Sequence, residues 1–200
     1  NGPGGGGVFP QQVAPILFPK GNYYIGYSTA YHTHHYTEQV VVVTCILNTS
    51  YQSKKEIQGE RYELYKIPEN RMYGIEKHKL FDGTIVNYSD KERTLVDVFY
   101  HPGIVEFERI VEILKEHIYD SKEFNLDKFI KYAIRFPIKI TRKRIGYYLE
   151  QAGVPMSKLK LLQNTIKGEN KDLLNIEGYK VLGFTKGEYI KKWGLINNVR

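Results

Sequence analysis

The chain has 200 residues, 42% of them hydrophobic, a single cysteine and a formal net charge of +7. That much apolar material supports one large domain or two small ones without disulfides, and one thiol cannot close an intramolecular bridge. The longest apolar run, Val40 to Leu47, is too short to span a bilayer, and no signal-peptide pattern opens the chain. A cytoplasmic protein with no membrane partner is expected. The charge is unevenly placed, −2 over residues 1–119 and +9 over residues 120–200. Such asymmetry fits a nucleic-acid footprint or an acidic protein partner, although dispersed lysines on a solvated face give the same total.

Residues 1–20, glycine-rich from Gly2 to Gly7, read as a linker or cloning remnant, with a short apolar segment from Val13 to Leu17. Tyr24, Tyr27, Tyr31 and His35 then recur at spacings of three and four, which predicts an amphipathic helix from near Ser28. Gln39 to Leu47 is a β-branched run expected to form a central strand, with Cys45 buried and inert within it. Asn48 to Ser53 is turn material, and Arg61 to Ile67 reads as a second strand ended by Pro68. Lys77 to Phe81 and Thr84 to Tyr88 flank Asp82-Gly83, the dipeptide of a two-residue type I′ hairpin.

From Asn87 the pattern turns helical. Ser89 and Glu92 have the spacing of a capping box. Leu95, Val96, Phe99 and Tyr100 mark one buried face, with Glu92, Arg93 and Asp97 expected off it, and Pro102-Gly103 is a stop. Helices are expected over Asp90 to Tyr100, Val105 to His117, Leu126 to Phe136 (capped by Asn125 or Asp127), Thr141 to Ala152 and Ser157 to Ile166, with Trp193 to Val199 as a last extended segment. The organisation is sheet-rich over 21–89, helical over 90–167 and extended over 168–200. The fold class is α+β, a small mixed sheet in the N-terminal half packed against a helical C-terminal half as one unit.

Candidate chemistry is sparse. His32, His34 and His35 lie close, but His34 falls off the face shared by the other two and no further ligand has zinc spacing, so no metal site is assigned. Glu60, Glu63 and Asp82, with Lys66, are the carboxylates a metal-dependent nuclease would need, yet Glu63 and Lys66 point to opposite faces of an extended strand. An exposed strand face explains the same residues. Gly146 interrupts a helical pattern at a cost of about 1 kcal/mol relative to alanine, so close packing is its expected reason. No phosphate-binding glycine loop or nucleophile elbow is present; no catalytic residue and no cofactor is assigned. Lys139, Arg142, Lys143 and Arg144 form the densest basic run. The first three share a side opposite Ile138, Ile145, Tyr148 and Leu149, and the four are the candidate contacts for nucleic acid or an acidic partner.

Taken in order, GNYYIGYSTAYHTHHYTEQ, VVVVTCI, ERTLVDVFYHPG, FIKYAIRFP, KRIGYYLEQAG and KWGLINNV resemble the AbiEi family, the antitoxin and transcriptional regulators of type IV toxin–antitoxin (abortive infection) systems. The resemblance runs from Lys20 to Val199, and ERTLVDVF followed by proline is its most specific part. It implies that 21–200 is the C-terminal antitoxin/effector domain, non-enzymatic, acting against a nucleotidyltransferase-type toxin. It also implies an N-terminal winged helix-turn-helix that binds the operator. Nothing before Gly21 could form that module, so sequence-specific DNA binding is not expected of this stretch. An auxiliary nucleic-acid-binding role in repression is the alternative, and a metal-dependent nuclease the remaining one.

Overall fold

The structure, a computed structural model, describes residues 9–104, 109–120, 122–167, 172–173 and 187–197. Its class is α+β. In place of one unit there are two compact ones, residues 1–90 and 91–200.

The first unit contains α1 (Val13–Leu17), β1 (Tyr23–Ile25), α2 (Tyr27–Thr33), β2 (Thr44–Asn48), β3 (Ser53–Ile57), β4 (Glu60–Lys66), β5 (Ile75–Lys79) and β6 (Ile85–Ser89). The strands form one mixed sheet in the order β3-β4-β2-β1-β6-β5, with β1 parallel to β6, β2 parallel to β4 and the other pairs antiparallel. Both edge strands, SKKEI and IEKHK, carry lysines that discourage pairing with another chain. The linker reading fails for residues 9–20. Pro10–Gln12 is a 3₁₀ turn leading into α1, and Val13, Ala14 and Phe18 enter a core with Tyr23, Ile25, Ile46, Leu64 and Val86.

The long central strand shortens to β2. Val40 and Val42 are 83% and 64% exposed, because ladder partners rather than β-branching set a strand's length. The β2 ladder begins opposite Tyr62 of β4, where the Thr29 hydroxyl of α2 accepts the Cys45 N–H at 2.9 Å. The two-residue hairpin is also elsewhere. Ile57 pairs with Glu60 across Gln58-Gly59, whose φ values of 53° and 81° are the two positive angles of a type I′ turn. Lys79 pairs with Ile85, so Asp82-Gly83 lies in a longer loop in which Asp82 accepts from the Thr84 N–H at 3.0 Å and from its hydroxyl at 2.6 Å.

The second unit contains α3 (Lys91–Tyr100), α4 (Ile110–Lys115) running into a π-helical turn (Glu116–Asp120), α5 (Leu126–Arg135), α6 (Lys139–Gln151) and α7 (Met156–Asn164). A small sheet follows, β7 (Asp172–Leu173), β8 (Glu188–Ile190) and β9 (Leu195–Asn197), in the order β7-β9-β8. Residues 1–8 of the expected linker, 105–108 of the expected second helix, 168–171, 174–186 and 198–200 of the expected extended tail, and with them the last two residues of the Trp193 to Val199 segment, lie outside the described residues. Asn125 is the α5 cap, its side chain accepting the Lys128 N–H at 2.9 Å. The paired bonds from Gly153 N–H to the Glu150 carbonyl and from Val154 N–H to the Leu149 carbonyl form the Schellman stop of α6. The helices assemble a core of their own around Leu95, Phe99, Phe129, Phe136, Ile145, Leu149, Leu159 and Trp193, which is why residues 91–200 are compact by themselves.

Candidate functional site

Half of the basic run on α6 is core. Lys143 is 1% exposed and Arg144 0%, so neither offers charge to a phosphate, which corrects their assignment as contacts. The Lys143 ammonium donates to Asp172 Oδ2 at 2.6 Å and to the Gly194 carbonyl at 3.1 Å, fastening β7 and the β9 turn to the helix. The Arg144 guanidinium donates to the Phe99 carbonyl at 3.3 Å, at the far end of α3. Burial pulls its pKa from the usual value down to about 10, against smaller opposing contributions from Tyr148 and Asp172. Arg142 is half-buried, and its Nε has no hydrogen-bond partner among the described residues. Desolvation also lowers its pKa. Lys139 is partly exposed, and its ammonium donates to the Lys167 carbonyl at 2.7 Å. Helical spacing brings these four onto one helix, but they do not form one surface. Counting charges cannot reveal that, since a lysine with a carboxylate and a carbonyl waiting for it can be buried.

The same helix explains its glycine. A Cβ on Gly146 would lie 2.0 Å from Cζ3 of the Trp193 indole, so the close neighbour is a ring from the C-terminal tail. Trp193 Nε1 donates to Glu150 Oε2 at 2.7 Å, and Lys192 pairs with the same carboxylate. Burial pushes the Glu150 carboxyl up, but the hydrogen bonds from Lys192 and Trp193 outweigh it and hold it below the usual range.

On α3, Glu92, Arg93 and Asp97 are buried, contrary to their expected outward position. Arg93 and Asp97 form a forked pair at 2.7 and 3.1 Å, both side chains 0% exposed, with the guanidinium 5.4 Å from the centre of the Phe136 ring. The Glu92 carboxylate turns to α5, taking the Asn125 N–H at 2.7 Å and the Lys128 ammonium at 2.9 Å. Ser89 Oγ donates to the Ile25 carbonyl at 3.5 Å. The two residues of the expected capping box thus serve neighbouring elements.

The carboxylates considered for nuclease chemistry are not brought together. Glu63 of β4 is paired with Lys54 at 2.6 Å and accepts from the Tyr65 hydroxyl, while Asp82 sits in the β5–β6 loop at the opposite edge of the sheet. Glu60 is exposed at the start of β4. Among the described residues no three His, Cys, Asp or Glu side chains converge as metal ligands. His34 is buried, with Nε2 2.7 Å from the Ser89 carbonyl, whereas His32 and His35 are exposed. Cys45 is buried, and desolvation raises its thiol pKa, partly offset by Ser28, so it stays protonated.

No helix among the described residues is long and apolar enough to cross a membrane. No family model matches this chain, and no curated protein matches it.

Proposed function

We propose that this chain is the antitoxin/effector part of an AbiEi-like regulator of a type IV toxin–antitoxin system, a cytoplasmic protein that acts by binding and opposes a nucleotidyltransferase-type toxin. The observation that carries this reading is that the segments bearing the resemblance lean on one another. In the second unit, Arg93 and Asp97 of ERTLVDVFYHPG meet Phe136 of FIKYAIRFP, Phe99 receives Arg144 of KRIGYYLEQAG, and Gly146 and Glu150 hold Trp193 of KWGLINNV. In the first, Ile25 of the tyrosine-rich segment pairs with Ile46 at the end of VVVVTCI, and Thr29 accepts the Cys45 N–H. Segments far apart in sequence that share hydrogen bonds and burial specify a fold together, so within each unit the quoted segments act as parts of one structure.

Co-expression with the nucleotidyltransferase-type toxin of the same genome tests the proposal. Growth arrest by the toxin is expected to be relieved by this chain. Undiminished arrest, with the chain folded and abundant in the cell, would overturn it.

A further inference from the structure

We propose that the cleft between the carboxyl end of α7 and the β8–β9 turn binds a nucleotide, either a free nucleoside triphosphate or one unit of a single-stranded nucleic acid. The inference stands apart from the antitoxin reading and rests on the second unit alone. The cavity has a volume of about 390 Å³, within the range of small-ligand sites. Gln163, Lys167, Tyr189, Lys191, Lys192 and Trp193 line it. The three ammonium groups differ. Lys192 is neutralised by Glu150, whereas Lys167 and Lys191 are exposed and have no acidic partner among the described residues.

Helix carboxyl ends repel anions, and α7 ends beside this cleft. Here that end is largely satisfied. The Leu162 and Gln163 carbonyls accept the Thr165 and Ile166 N–H groups, and the Lys139 ammonium sits on the Lys167 carbonyl, adding a further positive charge at the rim. The whole net charge of +7 belongs to residues 91–200, residues 1–90 summing to zero, so the background field also favours an anion. Two ammonium groups with no acidic partner among the described residues are suited to phosphate oxygens, and the ring of Tyr189, 43% exposed on β8, lines the cleft where a base would stack. Gln163 Nε2 donates to the Lys192 carbonyl at 3.4 Å, which leaves the amide oxygen to accept from a base amino group. Phosphate plus an aromatic base, rather than phosphate alone, is the chemistry that uses all of these groups.

The test has a built-in reporter, since Trp193 is the only tryptophan in the chain and lines the cleft. The intact chain is titrated with GTP, ATP, sodium tripolyphosphate and an oligo(dT) of about twelve nucleotides, by tryptophan emission and in parallel by calorimetry. Saturable binding of a triphosphate or of the oligonucleotide is expected. The paired change Lys167→Ala and Lys191→Ala should weaken it about tenfold or more, and Tyr189→Ala should weaken nucleotide about tenfold while leaving tripolyphosphate unchanged. Lys167 and Lys191 are exposed, so the unliganded double variant should keep the parent's circular dichroism and emission maximum, and Tyr189→Ala is compared with Tyr189→Phe, which keeps the ring and should keep nucleotide affinity. Triphosphate binding without oligonucleotide binding would identify the free nucleotide as the source, and competition of oligonucleotide with triphosphate would identify the single strand. No binding of any nucleotide probe up to about 1 mM by either method, affinity indifferent to the lysine pair, or tripolyphosphate binding as tightly as nucleotide would overturn the proposal.

Discussion

Trp193 shows how one residue can govern a helix from outside it. Its indole occupies the place of a Cβ on Gly146 and its Nε1 is fixed by Glu150. Gly146→Ala would gain about 1 kcal/mol of helix propensity, but overpacking a filled core costs typically about 1–3 kcal/mol and more when a rigid ring must move. Net destabilisation of about 2 kcal/mol is expected, read as a lower urea midpoint with an altered tryptophan emission. The same substitution in a Trp193→Leu background, where the ring is gone, should be neutral or stabilising. A glycine inside a helical pattern was the legible half of this contact; its partner, 47 residues on, carried no local signal. Arg93 and Asp97 depart from the periodicity for a related reason. Periodicity counts each charge as a mark of the outward face, yet at i,i+4 the two neutralise one another in a fork and both enter the core. Lys143 and Arg144 repeat the lesson across longer distances, through Asp172, Gly194 and Phe99.

Among elements, those whose start and stop signals lie in their own sequence were legible. The α5 boundary follows from Asn125 and the α6 end from Gly153. Elements whose limits are set by partners were not. The Gln39 to Leu47 run has strand composition throughout but a ladder only from Thr44; β3 is a charged edge strand with no alternation of apolar residues; and the turn follows Gln58-Gly59 rather than Asp82-Gly83. Asn125 is a good place to weigh an element boundary, because it joins α5 to α3 in two ways. Its side chain caps α5, and its backbone N–H is held by Glu92. Asn125→Ala removes the first bond only and should cost about 1 kcal/mol, while Asn125→Asp or Asn125→Ser, which keep an acceptor oxygen, should restore most of it. Urea denaturation of the three variants checks this. Equal losses in all three would mean that the side chain is held by something other than its capping role.

Over the whole molecule, lowered carboxylates and raised phenols act at opposite ends of the pH scale, and most of the phenols lie in residues 1–90. In residues 91–200, Glu150, Glu123 and Asp127 are held below the usual carboxylate range, Glu150 by Lys192 and Trp193 against its own burial, Glu123 by Lys91 and Asp127 by Lys158. A carboxylate lowered in the fold is protonated first in the unfolded chain. Its stabilisation is therefore complete above the ordinary carboxylate values and is lost as pH falls through its folded value. Glu123 and Asp127 are largely exposed and screened by solvent, so the less exposed Glu150 should dominate. In residues 1–90 the shifts are mostly of the other kind. Desolvation raises Tyr23, Tyr62, Tyr65 and Tyr88 above the ordinary 10.0, with Tyr65 raised further by its bond to Glu63. A phenol raised in the fold ionises first in the unfolded chain, so stability is present below the ordinary value and is lost as pH rises beyond it. Acidification should therefore loosen the α6–β9 region first, seen as an early change in Trp193 emission because Glu150 is its hydrogen-bond partner. Alkali should instead open β1, β4 and β6 first, seen as a local loss of protection in peptide-resolved hydrogen exchange corrected for intrinsic rates. Glu150→Gln should flatten the acid response of the tryptophan signal and leave the alkaline response of the sheet unchanged; an acid transition of unaltered size in that variant would place its origin in other carboxylates.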